Sequence, residues 1–233
     1  MMQIKQFRYG ADNFGYLVFD KTRAIAIDAG AVADMTDFAQ EHDLTIAWVT
    51  NTHLHPDHTG GNASMLEKTG AAFLDCTTFS QDQQIFLDKE ALTVILTPGH
   101  THDSVCFAGD DFLVTGDTLF NGTVGNCFSG DLEAFYHSLK KLLAFPGTTR
   151  VFAGHDYVKE SLEIAAAIDP GNLDIDRYLE IYDPALVVST LADELQVNPF
   201  LRFNADSMIQ KLKQRNFSCD TEKQRFISLM EAF

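Results

Sequence analysis

The stretch Thr52-His53-Leu54-His55-Pro56-Asp57-His58 places three imidazoles and one carboxylate within six consecutive residues. Three more residues of the same chemical kind follow, each directly after a glycine: His100, Asp117 and His155. Five of the eight histidines lie in these four places. Two metal ions that share one carboxylate need about this number of nitrogen and oxygen ligands. The sequence therefore predicts one site for two metal ions.

Each of these places follows a segment with the pattern of a β-strand. The four segments are residues 45–49, 92–96, 112–115 and 151–153. Because loops at strand ends converge on one edge of a sheet, we expect the candidate ligands to form one cluster. His53 and His55 are two residues apart, so in extended backbone their side chains point the same way and can bind one metal. Asp57 and His58 begin the next helix and are expected to face a second position.

The organisation of the chain changes near residues 165–172. Strand-like and helix-like segments alternate before this point, whereas helical periodicity dominates after it. The helices predicted at and beyond the change are residues 157–168, 174–182, 205–214 and 221–232. We therefore predict an α/β catalytic domain over residues 1–168 and a small helical domain over residues 169–233.

The composition excludes several classes of protein. The 233 residues carry a formal net charge of −16, which disfavours nucleic acid and anionic membrane surfaces as partners. No apolar segment approaches the ~20 residues needed to span a membrane, and the polar stretch at residues 1–10 leads us to expect no secretory signal. The four cysteines form no C-x-x-C pair, which favours free thiols and a cytoplasmic location.

A lone histidine is more often an ordinary surface or core residue than a metal ligand. The remaining histidines, His42, His102 and His137, lie outside the pattern and are expected to be ordinary surface or core residues. A closed structural zinc site is disfavoured because such sites are rich in thiolates, and no cysteine lies in these motifs. Histidines and carboxylates with room for water are typical of catalytic metal sites.

The metal motifs resemble those of the metallo-β-lactamase fold superfamily, and within it those of glyoxalase II, the hydroxyacylglutathione hydrolases. The stretch Ser189-Thr190-Leu191-Ala192, followed by Asn198-Pro199-Phe200-Leu201-Arg202, resembles the carboxy-terminal helical domain of that family. The other matching segments are Asp12-Asn13 with Tyr16, and residues 52–62, 116–120 and 154–157. The resemblance covers nearly the whole chain. It implies an α/β fold, the four-layer αββα sandwich, with a small carboxy-terminal helical domain.

The resemblance also implies roles for the seven candidate ligands. The first metal would take His53, His55 and His100, and the second would take Asp57, His58 and His155, with Asp117 bridging the two ions. Asp57 would in addition help to orient the attacking hydroxide. Zinc is the first choice for both ions, with iron and manganese as alternatives, because the same ligands accept all three metals.

Three residues are candidates for substrate contacts. In the family, a Lys and a Tyr in the loop after the bridging Asp, and a Tyr after the last His, bind glutathione. In this sequence Asn126 stands at the Lys position and Phe128 at the Tyr position, while Tyr157 is retained. The resemblance therefore implies weaker binding of glutathione than is usual in the family. A purely structural role for Tyr157, packed between the two domains, stays open.

Three functions are compatible with these residues. The first is a metal-dependent thioester hydrolase that cleaves hydroxyacylglutathione or a related acyl thioester with a metal-bound hydroxide. The second is a non-haem iron persulfide dioxygenase of the same superfamily, which would use His53, His100 and Asp117 around one iron. The third is a metal-binding module without catalysis. The carboxy-terminal motif favours the thioester hydrolase, and the expected partner is a small thioester rather than a nucleic acid or a membrane.

Overall fold

Two β-sheets form the centre of the fold in this computed structural model, which describes residues 2–233. The strands are β1 (Gln3–Tyr9), β2 (Asn13–Phe19), β3 (Arg23–Ile27), β4 (Thr45–Thr50), β5 (Ala72–Phe73), β6 (Gln84–Leu87), β7 (Glu90–Leu96), β8 (Val105–Ala108), β9 (Phe112–Gly116), β10 (Arg150–Ala153) and β11 (Ser189–Thr190). The first sheet has the order β1-β2-β3-β4-β5 and the second the order β11-β10-β9-β8-β7-β6. The pairs β3–β4, β4–β5 and β9–β10 are parallel, and the other neighbours are antiparallel.

Helices cover the outer faces of both sheets and fill the carboxy-terminal part. They are α1 (Val32–Glu41), α2 (Pro56–Thr59), α3 (Asn62–Thr69), α4 (Leu132–Leu142), α5 (Val158–Ile168), α6 (Asp174–Ile181), α7 (Leu191–Val197), α8 (Asp206–Gln214) and α9 (Glu222–Ala232). Several begin with a side chain that accepts a bond from an otherwise unpaired backbone N–H. Asp131 caps α4 in this way, and Thr190 begins α7 with a capping box completed by Asp193.

Alternating side chains divide the core into layers. Along β2, Tyr16 and Val18 point between the two sheets, whereas Leu17 and Phe19 pack with residues of α1 and α3. The second sheet behaves in the same way, since Phe107 and Val114 join the central layer while Cys106 and Leu113 pack with residues of α4 and α9. The order of layers is therefore helix, sheet, sheet, helix, and the predicted αββα sandwich is confirmed.

The four helices predicted for the carboxy-terminal part are confirmed to within about one residue at each end. The apolar residues of the carboxy-terminal helices, which also include α7, divide between two core clusters. Most of those from α5 and α6 join the cluster between the sheets, α7 contributes to both clusters, and α8 and α9 pack with α4. None of the helices within residues 2–233 is both long and apolar enough to cross a membrane. The division of the chain at residues 168 and 169 stays a prediction.

Candidate metal centre

All seven candidate ligands meet at one edge of the sandwich. The loops that carry them follow β4, β7, β9 and β10, as the sequence pattern predicted. They form two groups, within each of which the potential ligand atoms lie no more than 4.8 Å apart. The first group is His53, His55, His100 and Asp117, and the second is Asp57, His58 and His155. The three other histidines lie outside both groups: His42 stacks on Phe38, and His102 and His137 are exposed.

In the first group three ring nitrogens face one another. His55 Nδ1 lies 2.9 Å from His53 Nε2 and 3.1 Å from His100 Nε2. Asp117 Oδ2 lies 3.9 Å from His53 Nε2 and 3.5 Å from His100 Nε2. Three imidazole nitrogens and one carboxylate oxygen therefore surround a common point, as the ligands of a zinc-like ion do.

The second group shares Asp117 with the first. His58 Nε2 lies 3.2 Å from His155 Nε2, and Asp57 Oδ2 lies 3.6 and 3.3 Å from these two nitrogens. Asp117 Oδ1 is 3.3 Å from His58 Nε2, while Asp117 Oδ2 is 3.5 Å from His155 Nε2. Asp117 thus contacts ring nitrogens of both groups, which is the placement a bridging carboxylate requires.

Hydrogen bonds on the outer side of the rings fix which nitrogen carries the proton. The Nδ1 atoms of His58, His100 and His155 each lie 2.9 Å from an oxygen that can only accept. The three acceptors are the carboxylates of Asp28 and Asp12 and the backbone carbonyl of Asn126. Each Nδ1 is therefore a donor, and whenever the ring is neutral its Nε2 atom directs a lone pair inward. Partners of this kind orient the histidines of metal sites.

These observations test whether the residues fit a pair of metal ions. When the inward-facing ring nitrogens are all unprotonated, as metal ligation requires, they lie about 3 Å apart and repel one another unless a cation lies between them. Asp117 Oδ1 is buried and accepts no hydrogen bond from residues 2–233, although His58 Nε2 is 3.3 Å away. A buried carboxylate oxygen without a partner is costly, and a metal ion would provide one. The donor set of five imidazoles and two carboxylates therefore fits two divalent ions.

The electrostatics of the buried groups agree with this fit. Burial lowers the pKa of His53 to about 4, so its ring is neutral and able to ligate. Burial acts to lower the pKa of His58 as well, yet the carboxylates of Asp28 and Asp117 raise it to about 11. Burial acts to raise the pKa of Asp117, but the neighbouring imidazoles hold it at about 2. The carboxylates therefore favour positive charge beside His58.

Two glycines allow the ligand loops to approach one another. A Cβ atom on Gly154, which precedes His155, would lie 2.2 Å from Asp117 Oδ1. A Cβ atom on Gly125 would lie 1.9 Å from the backbone oxygen of Asp117 and 3.1 Å from His100 Nδ1. No side chain fits at such distances, so these glycines are a steric requirement of the site.

The outer partners were missed by the sequence analysis as functional residues. Asp28 is fully buried and accepts bonds from the Thr52 N–H and hydroxyl as well as from His58. Asp12 and Asn13 matched a family motif, but the sequence pattern did not indicate what they contact. In the structure Asp12 accepts a hydrogen bond from His155 Nδ1, and Asn13 Nδ2 donates to Asp57 Oδ2 at 2.8 Å. A signal for Asp28 was present, because it directly follows the apolar strand β3, as other site residues follow theirs.

The three candidate substrate residues surround the same edge. The Phe128 side chain is 67% exposed, with its ring centre 5.1 Å from that of His100 and 5.8 Å from that of His55. Asn126 is exposed, and its backbone carbonyl accepts a hydrogen bond from His100 Nδ1. Tyr157 stacks on His155 with the ring planes 6° apart. All three therefore lie beside the metal centre, and none forms a separate site.

Comparison with known proteins agrees with the fold. The family model described as the metallo-beta-lactamase superfamily matches residues 11–73 and 78–155. The crystal structure of ETHE1 from Myxococcus xanthus covers 99% of this chain and 90% of its own, with a TM-score of 0.71 and 24% identity. BLEG-1, a B3 metallo-beta-lactamase, covers 85% of this chain and 99% of its own, with a TM-score of 0.65 and 19% identity. These two likenesses show the fold, and the chain is a member of the metallo-β-lactamase superfamily.

A second family model, described as the hydroxyacylglutathione hydrolase C-terminus, matches residues 156–232. The hydroxyacylglutathione hydrolase of Pseudoalteromonas translucida is 32% identical over 230 residues, which cover 91% of this chain and 90% of that protein. That of Thiobacillus denitrificans is 35% identical over 214 residues, or 84% of each chain. Within the superfamily, this chain belongs to the hydroxyacylglutathione hydrolase family.

Proposed function

We propose that this protein hydrolyses acyl thioesters of the hydroxyacylglutathione type at a centre of two divalent metal ions. The observation that carries the proposal is the convergence of five imidazoles on Asp117, whose buried Oδ1 has no hydrogen-bond partner within residues 2–233. His53, His55 and His100 would hold one ion and Asp57, His58 and His155 the other, with Asp117 shared. Zinc is the metal we favour, since imidazole and carboxylate ligands in this number suit it.

When bound, the ions supply Lewis acidity, which acidifies water and polarises the thioester carbonyl. The protein contributes orientation. Asn13 donates to Asp57 Oδ2, and the Tyr9 hydroxyl donates to the Asp57 backbone oxygen, so this half-exposed carboxylate is fixed at the open side of the site. There it can accept a hydrogen bond from the attacking water and direct it towards the carbonyl carbon.

The reaction needs no nucleophile from the protein. Water adds to the carbonyl carbon, the carbon–sulfur bond breaks, and the products are a carboxylic acid and a thiol. Two cysteines are unsuited to covalent catalysis, because burial raises the pKa of Cys76 to about 12 and that of Cys106 to about 11. Both thiols therefore stay protonated near neutral pH.

Asn126, Phe128 and Tyr157 are the residues we propose to contact the substrate. Their support is position: each lies beside a histidine of the centre, and Phe128 exposes most of its ring to solvent. We further propose that residues 1–168 hold the metals and that residues 169–233 complete the substrate side. A cytoplasmic location, and the absence of a nucleic-acid partner, stay predictions from composition.

The proposal can be tested on protein reconstituted with Zn²⁺ and analysed for metal. We expect two ions per chain and hydrolysis of S-lactoylglutathione, followed as loss of the thioester absorbance. Protein loaded with two ions that cleaves no member of a panel of acyl thioesters would contradict the proposal. One tightly bound iron, together with oxygen consumption on glutathione persulfide, would instead favour the dioxygenase.

A further inference from the structure

One loop connects the metal centre to the carboxy-terminal helices. It runs from Asp117 to Asn126, and both ends belong to the centre: Asp117 lies between the two groups of ligands, and the Asn126 carbonyl accepts from His100 Nδ1 at 2.9 Å. Between them the chain forms a short antiparallel turn, held by a bridge between Leu119 and Val124. A displacement of this turn would therefore move ligands of both metals together.

The tip of the loop, Asn121 and Gly122, is held by residues far away in the sequence. Asn121 Nδ2 donates to Ser189 Oγ at 2.7 Å, and the Gly122 N–H donates to Glu194 Oε2 at 2.8 Å. Gly122 also lies against α5, where a Cβ atom would be 3.1 Å from Leu162 Cδ2. Its φ of +98° is a conformation that glycine adopts readily. The tip is therefore fixed by both backbone and side-chain contacts.

Glu194 is an unusual residue for this position because its carboxyl group is completely buried. Oε2 accepts from the Gly122 N–H and from Asn198 Nδ2, and Oε1 accepts from the Tyr178 hydroxyl at 3.0 Å. Within residues 2–233 no lysine or arginine pairs with it. Burial of an unpaired carboxyl group is costly, and an apolar residue of similar size would avoid that cost. The hydrogen bonds it makes, including the one to the loop, are what an apolar residue could not supply.

We propose that Glu194 is a positioning residue for the metal centre: by anchoring the tip of the Asp117–Asn126 loop, it holds Asp117 and the carbonyl that orients His100. Through this contact the carboxy-terminal helices set the affinity for metal. The inference rests on the metal site of the proposed function, but it does not depend on the identity of the substrate. Affinity for Zn²⁺ reports on the site whatever the enzyme cleaves.

The test compares three variants of the full-length protein. Glu194→Leu removes the acceptor of the Gly122 N–H with little change of volume. Glu194→Gln keeps an oxygen for that bond, while its amide can donate to the Tyr178 oxygen. Tyr178→Phe is the matched control, because it removes the hydrogen bond to Glu194 Oε1 and leaves the bond from the Gly122 N–H to Oε2 in place. Zn²⁺ affinity is measured by competition with a chromophoric chelator, and folding by circular dichroism.

We expect Glu194→Leu to weaken Zn²⁺ binding by roughly 10-fold, the lower end of the range for groups bonded directly to a metal ligand, because Glu194 acts on the ligands through the loop. The Zn²⁺ affinities of Glu194→Gln and Tyr178→Phe should stay within about threefold of the wild-type affinity. This holds for Tyr178→Phe even if the substitution lowers the stability of the fold. If Glu194→Leu does not fold, Ser189→Ala replaces it. That variant removes the nearer of the two acceptors of Asn121 Nδ2 at the same tip and leaves the Val151 carbonyl, and it should weaken binding at least threefold.

The inference is overturned if a folded Glu194→Leu protein binds Zn²⁺ as wild type does, or if Tyr178→Phe loses as much affinity. Unchanged affinity in Ser189→Ala, where that variant is needed, would overturn it as well. A wild-type protein that binds no Zn²⁺ would refute the metal site itself, and with it the proposed function. Equal binding by wild type and all variants would refute only the role of Glu194.

Discussion

Replacement of Asp28 by asparagine should weaken the second metal position. Asp28 accepts from His58 Nδ1 at 2.9 Å, and from the Thr52 hydroxyl and N–H at 2.7 and 2.9 Å. In Asp28→Asn one oxygen keeps the bond from the Thr52 N–H, and the new amide group faces His58 Nδ1. An amide N–H cannot accept from Nδ1–H, so the proton of His58 is driven to Nε2, the atom that faces the metal.

The size of the effect follows from this single exchange. Loss of an outer partner of a ligating histidine costs 10- to 100-fold in metal affinity, which is roughly 1.4–2.8 kcal/mol. The larger loss should fall on the second ion, because His58 contacts Asp28 directly. His53 reaches Asp28 only through the Thr52 hydroxyl, which lies 3.1 Å from His53 Nδ1. The first ion should therefore be affected less.

Chelator competition that resolves the two binding constants checks this prediction. Asp43→Asn is a matched control. Asp43 is exposed and has a φ of +54°, close to the +51° of Asp28, so replacing aspartate by asparagine should affect the backbone in the same way at both positions. A folded Asp28→Asn protein whose second Zn²⁺ constant equals that of Asp43→Asn would refute the reasoning. Equal losses at both ions would show that Asp28 acts on the centre as a whole.

Three further predictions concern single features of the molecule. Asp117→Ala should lose turnover and both ions together, whereas His102→Ala should lose neither; elemental analysis and a thioesterase assay distinguish them. Burial raises the pKa of Glu194 from 4.5 to about 7, so folding favours the protonated carboxyl group. The free energy of unfolding of the wild type, relative to that of Glu194→Gln, should therefore fall by roughly 3 kcal/mol as the pH rises from 4.5 to 7. Urea titrations at the two pH values measure this difference. A flat difference would contradict that assignment. Asn126→Lys combined with Phe128→Tyr should lower KM for S-lactoylglutathione roughly 30-fold with kcat little changed, if each of the two contacts adds ~1 kcal/mol. An unchanged low KM would show that other residues bind the thiol.

The strands beside the site were predictable because they are apolar and short. Each of the four segments that lead to a candidate ligand is a strand in the structure. The edge strand β1 was missed because its apolar residues Ile4 and Phe7 pack on opposite faces of the sheet. The sequence is otherwise mostly polar, so apolar and polar residues do not alternate along it in the way that predicts a strand. The short edge strand β6 was missed as well, although Ile85 and Leu87 alternate with exposed neighbours.

The seven candidate ligands were predictable for a different reason. Metal ligands belong to few residue types, and their spacing within a strand-end loop is visible in one sequence. Outer partners have no such signature: Asp28 and Asp12 resemble any aspartate in a turn, and their contacts exist only once distant segments meet. The same holds for Glu194, which lies 72 residues from Gly122 along the chain and on a helix that was not predicted.

The surroundings of the centre give a physical reason to expect weak binding of an anionic thiol. Phe128 and Leu54 expose 67% and 47% of their surface beside His55, so an apolar group of the substrate would gain by packing there. Asp57 and Asp156 add negative charge on the other side, and Arg8 is already held by Asp156 and by the Pro184 carbonyl. Glutathione carries carboxylates that gain little from such a surface. Binding that is lost equally in the ground and transition states raises KM and leaves kcat unchanged. When two thioesters carry the same acyl group, the thioester of a neutral, apolar thiol should therefore have a higher kcat/KM than the glutathione thioester.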